Sequence, residues 1–95
     1  MTPMALTDAG FSDYDIDRSV VLFTMMDDTT SVPCAITTDA MDQIEGVKRT
    51  AASQRENQFL RLRDKIGERA AQKFVAVELE GKPPGIILRA IDFRS

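Results

Sequence analysis

The alternation of apolar and polar positions divides the chain into a strand pair, two helices and a closing strand. Arg18–Met26 (RSVVLFTMM) is rich in β-branched and aromatic residues and reads as a strand. Asp27, Asp28, Thr29 and Thr30 form a turn by composition, and Ser31–Ile36 (SVPCAI) reads as a second strand, which makes the pair a hairpin. Pro33 has no N–H to donate, so it belongs either on an edge strand or on the unpaired side of its strand. Thr37, Thr38 and Asp39 offer cap oxygens for a short helix over Asp39–Glu45, which Gly46 can end. The next helix is the clearest element. At 100° per residue, Phe59, Leu62, Ile66 and Ala70 share one face, with Phe74 at its margin, over Ser53–Phe74. Its start has two candidate caps, Thr50 and the box Ser53-x-x-Glu56. Beyond it, Gly81–Gly85 with Lys82-Pro83-Pro84 must be a loop. Gly85–Ile91 reads as a strand, and Val75–Leu79 reads either as a strand paired with it or as an extension out of the helix. Residues 1–17 read as an irregular acidic lead-in.

These elements predict an α+β domain. A small antiparallel sheet, the N-terminal hairpin plus one or two C-terminal strands, packs against one long amphipathic helix, with a short helix before it. A chain of 95 residues is one domain's worth, residues 1–95, and buries roughly 60–65% of its unfolded surface. The strands are apolar on both faces. Val21, Phe23 and Met25 alternate with Val20, Leu22 and Met26, and Ile86, Leu88 and Ala90 with Ile87 and Ile91. A sheet covered on one side alternates more cleanly than this. The second face therefore calls for a cover: the N-terminal segment, the short helix or a second copy of the chain.

Composition narrows the chemistry. Histidine is absent, so a Ser-His-Asp triad, a Cys-His pair and a His-based metal site are excluded. Acid–base work by carboxylates or lysine stays open, but the expectation is a protein that is not an enzyme. The lone Cys34 alternates with Val32 and Ile36 as a core cysteine does, and it implies a reducing, cytoplasmic setting. The start lacks the basic and apolar regions of a signal peptide, and no apolar run reaches membrane-spanning length. Asp13, Asp15 and Asp17 open like an EF-hand loop, but Arg18 stands where that loop needs glycine and Thr24 where it needs glutamate. No cofactor or metal is implied.

The net charge of −3 conceals an asymmetry. Residues 1–46 carry nine acids and one base, whereas residues 47–73 carry eight bases and three acids. Segments of opposite sign suit facing surfaces, within one chain or across a dimer. Arg61, Lys65 and Arg69 follow i, i+4, i+8 spacing and make a basic stripe, a candidate contact surface for nucleic-acid phosphates. The interleaved Asp64 and Glu68 and the sequence pI near 4.8 favour a solvated face instead. Arg63 falls by angle among Phe59, Ile66 and Ala70, where an unpaired charge would be costly. Its candidate partners are Glu56 and Asp92, a structural or ligand ion pair, and Arg63→Ala should then destabilise by about 1–3 kcal/mol.

The runs YDIDRSVVLFTMMDD, VPCAITTDAM, FLRLRDKIGERAAQKF and IILRAIDF resemble the bacterial family named domain of unknown function 1488, from about Tyr14 to Phe93. The matching pattern is Val21-x-Phe23, Ala40, Phe59-x-x-x-Arg63-x-x-Ile66-x-x-x-Ala70 and a closing Asp92-Phe93. Met41 and Gly67 depart from it. The resemblance implies a small bacterial α+β domain and brings no activity, cofactor or site. The functional expectation is a non-catalytic interaction or regulatory module whose partner is itself, as a homodimer, or another protein. The alternative is a nucleic-acid-binding accessory protein using the basic stripe, and no membrane role is expected.

Overall fold

The computed structural model describes residues 7–27, 29–76, 78–81 and 85–93. Its elements are β1 (Thr7–Asp15), β2 (Val20–Asp27), β3 (Thr30–Thr37), α1 (Thr38–Glu45), α2 (Arg55–Val75) and β4 (Ile86–Leu88), with 3₁₀ turns at Ala52–Gln54 and Ala90–Phe93. The strands form one sheet in the order β1-β2-β3-β4. The first three run antiparallel, while β4 pairs parallel to β3, because the chain crosses over through α1 and α2 before returning. The expected α+β architecture is thus present, with one parallel pair in place of a wholly antiparallel sheet.

One expectation fails at the start of the chain. Residues 7–15 are not an irregular lead-in but an edge strand (residues 1–6 lie outside the described part). Asp, Gly and Ser make TDAGFSDYD a poor strand former, and pairing with β2 overrides that preference. The register also slips between Phe11 and Asp13, so Phe11 lies opposite Phe23 and Tyr14 opposite Val21. This irregularity puts two core-facing aromatics three residues apart, which erases the period of two.

β2 and β3 bury Val21, Phe23, Met25, Val32, Cys34 and Ile36 on one face. Phe59, Ile66 and Ala70 of α2 and Ala40 and Met41 of α1 close over them, with Ile86 and Leu88 of β4. The Phe59 ring sits 5.1 Å from Phe23 and 6.1 Å from Phe11, both tilted, a favoured arrangement of aromatic quadrupoles. Pro33 lies in an interior strand, not at an edge. Its carbonyl faces Gly85, and in a strand the N and C=O of one residue point the same way, so the missing donor faces away from β2. A Cβ on Gly85 would run into that carbonyl oxygen, which is why glycine stands there.

The helix ends follow local chemistry in part. Thr37 Oγ1 accepts from Ala40 N at 3.1 Å, and Gly46 closes α1 in the left-handed region with φ 71°. At the other helix, neither Thr50 nor Ser53 caps. Gln54 precedes α2 without a side-chain bond, the 3₁₀ turn leads in, and the Thr50 hydroxyl is used elsewhere. The expected strand over Val75–Leu79 is not seen at its described residues: Val75 ends α2, Glu78 and Leu79 lie outside any strand, and Glu80 makes an isolated bridge with Gly85 just before β4. The closing strand is shorter than Gly85–Ile91, since Asp92 accepts from Arg89 N at 2.8 Å and turns the chain into 3₁₀. The expected Lys82-Pro83-Pro84 turn lies outside the described residues.

Candidate functional site

Two polar clusters and one open surface stand out, and the polar clusters come first because they fix which residues are free. Asp42 of α1 is 8% exposed and Arg55 of α2 7%. Arg55 Nη1 donates to Asp42 Oδ1 at 2.7 Å and to Gln58 Oε1 at 2.7 Å, and its Nη2 donates to Asp42 Oδ2 at 3.3 Å. Thr50 Oγ1 and Gln58 Nε2 also donate to Asp42 Oδ1, at 2.8 and 2.9 Å. Burial pushes the Asp42 carboxyl up, but the hydrogen bonds from Arg55, Gln58 and Thr50 outweigh it and hold the pKa below the ordinary carboxylate range. Burial likewise works against a charged Arg55, and Asp42 more than restores it. Arg55 Nε is buried without a partner. Next to this cluster, Arg61 grips Glu45 through Nε and Nη2 at 3.0 and 3.1 Å, and it holds the Glu45 pKa down. The acidic and basic segments therefore do face each other within one chain, through α1 and α2.

The second cluster clasps the C-terminal turn onto α2. Asp92 receives Lys73 Nζ at 3.3 Å and Arg69 Nη2 at 3.4 Å on its carboxylate, and Arg69 Nε donates to its carbonyl at 2.8 Å. Lys73 Nζ also donates to Ile87 O at 2.9 Å. Between this turn, α1 and α2 lies a shallow cleft of about 350 Å³ lined by Gln43, Ile44, Lys65, Glu68, Arg69, Gln72 and Phe93. Among the described residues, no three His, Cys, Asp or Glu side chains lie close enough together to hold a metal ion.

The Arg63–Glu56–Asp92 ion pair does not form. Arg63 and Glu56 are exposed, and Asp92 belongs to Lys73 and Arg69. The reason lies in the residues of α2 that are buried. Arg55, Gln58 and Lys73 join Phe59, Ile66 and Ala70 inside, which rotates the buried sector by about 30° away from Arg63 at 100° per residue. The apolar pattern alone leaves these three polar residues out of that sector, and the spacing of Gln58 and Lys73, three and eighteen residues from Arg55, is the signal that places them on one side of the helix. Of the basic stripe, Arg61 and Arg69 are held by Glu45 and Asp92, and Lys65 is exposed at the cleft rim.

The outer face of the sheet remains. The rows that alternate with the buried ones present Val20, Leu22, Thr24 and Met26 from β2, Ser31, Pro33, Ala35 and Thr37 from β3, and Ile87 from β4. All but Ser31 and Pro33, which are exposed, are partly exposed. β1 lies in the plane of the sheet and both helices pack on the core side, so no described residue covers this face. Neither the short helix nor the described part of the N-terminal segment is the cover that the two-sided apolar strands call for. Among the described strand residues, this face carries charge only at its β1 margin, on Asp13 and Asp15.

Comparison with known proteins adds a family but no activity. Residues 7–82 match the model of a protein family described as protein of unknown function (DUF1488). A crystal structure of a protein of unknown function from the DUF1488 family of Shewanella loihica PV-4 superposes with a TM-score of 0.74 at 16% identity, covering 94% of this chain and 98% of that one. At that identity the likeness speaks for the fold. No curated protein matches the chain.

Proposed function

The chain belongs to the DUF1488 family of proteins of unknown function, and from that premise we propose that it is a non-catalytic interaction module that self-associates through the open face of its sheet. The observation that carries this reading is an apolar, centrally uncharged face of a four-stranded sheet that no described residue covers, while the core lies on the opposite face. Contiguous apolar patches above a few hundred Å² mark interaction sites on soluble proteins. Leu22, Met26, Ala35 and Ile87 cannot turn inward, since their chain neighbours Val21, Met25, Ile36 and Ile86 already occupy the core side. A bare face of this kind favours a partner whose surface is equally apolar.

The test is sedimentation equilibrium from micromolar to millimolar protein, with Leu22→Glu as the variant. The wild type should dimerise with rising concentration, and Leu22→Glu should stay monomeric with unchanged circular dichroism. A wild type that remains strictly monomeric at millimolar concentration overturns the reading. The nucleic-acid alternative draws less support, because Arg61 and Arg69 already hold carboxylates. Salt-sensitive binding of DNA or RNA that disappears on replacing Arg61, Lys65 and Arg69 would reinstate it.

A further inference from the structure

The shallow cleft on the helical side of the sheet is separate from the open face, and its walls are chemically mixed. Lys65, Arg69 and Gln72 lie four and seven residues apart on α2, which sets them on one side of the helix along the cleft. Gln43 Nε2 donates to Ala90 O at 2.9 Å and ties α1 to the C-terminal turn, which fixes the other wall. Ile44 and Phe93 pack on the core but are only partly buried, so each leaves apolar surface in the cleft.

The polar wall is rich in donors. Arg69 Nε donates to Asp92 O at 2.8 Å and so orients the guanidinium. Its Nη1 reaches Gln72 Oε1, and its Nη2 reaches Asp92 Oδ1, only at 3.4 Å, longer than the ~2.7–3.2 Å of a strong N–H···O bond. Gln72 uses its Oε1 on Arg69 and keeps its amide N–H groups as donors. Lys65 is exposed at the rim and pairs with neither Glu68 nor Asp92. Asp92 is itself shared between Arg69 and Lys73. Among the described residues at this end of α2, the cations Lys65, Arg69 and Lys73 thus meet only the carboxylates of Glu68 and Asp92, which leaves a surplus of one positive charge. We propose that the cleft binds a small organic monocarboxylate, its oxygens on Lys65, Arg69 and Gln72 and its apolar body on Ile44 and Phe93.

Charge and size select this class. A monoanion offsets the surplus charge, a cation adds to it, and a dianion overshoots it. A carboxylate has acceptor sites on both oxygens, which suits donors arriving from a lysine, an arginine and an amide. At about 350 Å³ the cleft stands at the lower end of the ~300–1,000 Å³ of ligand clefts, so it admits a single small molecule. It is shallow, and Glu68 stands in its lining, so the dissociation constant is on the order of 1–10 mM for a ligand of about nine heavy atoms.

Amide NMR of the full chain at neutral pH and constant ionic strength tests this with three probes. Benzoate carries both features, benzamide is its neutral counterpart, and acetate is the anion without the apolar body. Benzoate should give saturating shifts at Ile44, Lys65, Arg69, Gln72 and Phe93, with a dissociation constant at least about fivefold below those of benzamide and acetate. Lys65→Gln should raise the benzoate constant about fivefold and leave the rest of the spectrum in place, since Lys65 is exposed. Absence of saturating shifts by about 50 mM benzoate, well above the expected constant, overturns the proposal. Benzamide binding as tightly as benzoate removes the anion, and acetate binding as tightly removes the apolar body; either result overturns it. Unchanged affinity in Lys65→Gln, or shifts at Lys48, Arg49 and Arg63 in place of the cleft, does the same. Should Lys65→Gln lose its folded spectrum, the comparison of the three probes on the wild type decides. Self-association is read separately by sedimentation and stands or falls without reference to these results.

Discussion

Replacing Asp42 by Ala tests the centre of the α1–α2 interface. The carboxylate accepts four bonds at 3.3 Å or less, from Arg55 twice, from Gln58 and from Thr50. Its removal leaves Arg55 charged and 7% exposed, retaining only the bond to Gln58 Oε1, with Nε already unpartnered. Breaking a buried pair by deleting one partner costs about 3–5 kcal/mol, most of it the uncompensated charge that stays behind. The separate hydrogen bonds are not to be added to this, because they belong to one network. A domain of this size has about 5–14 kcal/mol in all, so the variant should lose a large share of its stability. In thermal terms the shift is at least about 12 °C, at about 4–8 °C per kcal/mol. Urea unfolding followed by circular dichroism measures it, with exposed Asp39→Ala as control. The double variant Asp42→Leu with Arg55→Met should be more stable than Asp42→Ala, because no charge is left stranded. A loss below about 1 kcal/mol for Asp42→Ala, or a double variant worse than the single one, would refute the reasoning.

Three further outcomes follow from other parts of the molecule. Arg63→Ala should change stability by no more than about 0.5 kcal/mol, since the side chain is exposed and pairs with neither Glu56 nor Asp92, and denaturant titration beside wild type checks it. The folded-state pKa values of Asp42, Glu45 and Glu80 lie below their ordinary values of 3.8, 4.5 and 4.5, so the unfolded chain binds more protons. Stability should be level from neutral pH to above the unfolded values and then fall as pH drops through the folded ones, which urea midpoints between pH 7 and pH 3 would show; constant midpoints would contradict the geometry. Gly85→Ala should destabilise by about 1–3 kcal/mol, as its methyl group must displace the Pro33 carbonyl, and a melting temperature equal to wild type would exclude that contact.

Much of the architecture was legible in the chain. β2, β3 and α1 follow from local composition and capping, and α2 from a period of 3.6, because in each case the residues that decide the element are neighbours in sequence. The resemblance pattern is mostly core spacing: Val21, Phe23, Ala40, Phe59, Ile66 and Ala70 are all buried. Cys34 sits where its alternation put it, and burial lifts its thiol to about 12. The two-sided apolarity of the strands is present in the fold, with Leu22, Ala35 and Ile87 on the face opposite the core.

Tertiary structure decided the rest. β1 has no strand signal of its own and exists because β2 offers it an edge, with an irregular register that hides its two inward aromatics. Arg63 and Arg55 carry the same charge on the same helix, and periodicity alone put the wrong one inside. Only the position of Asp42 on a second helix makes burial of Arg55 tolerable, and that position depends on how α1 and α2 dock. Asp92 went to Lys73 and Arg69 for the same reason, since the closing turn brings it to the far end of α2. Apolar patterning thus determined which surfaces are hidden, because burial follows the period of each element. Which charges meet depends on register and docking between segments distant in sequence, where no local period carries information.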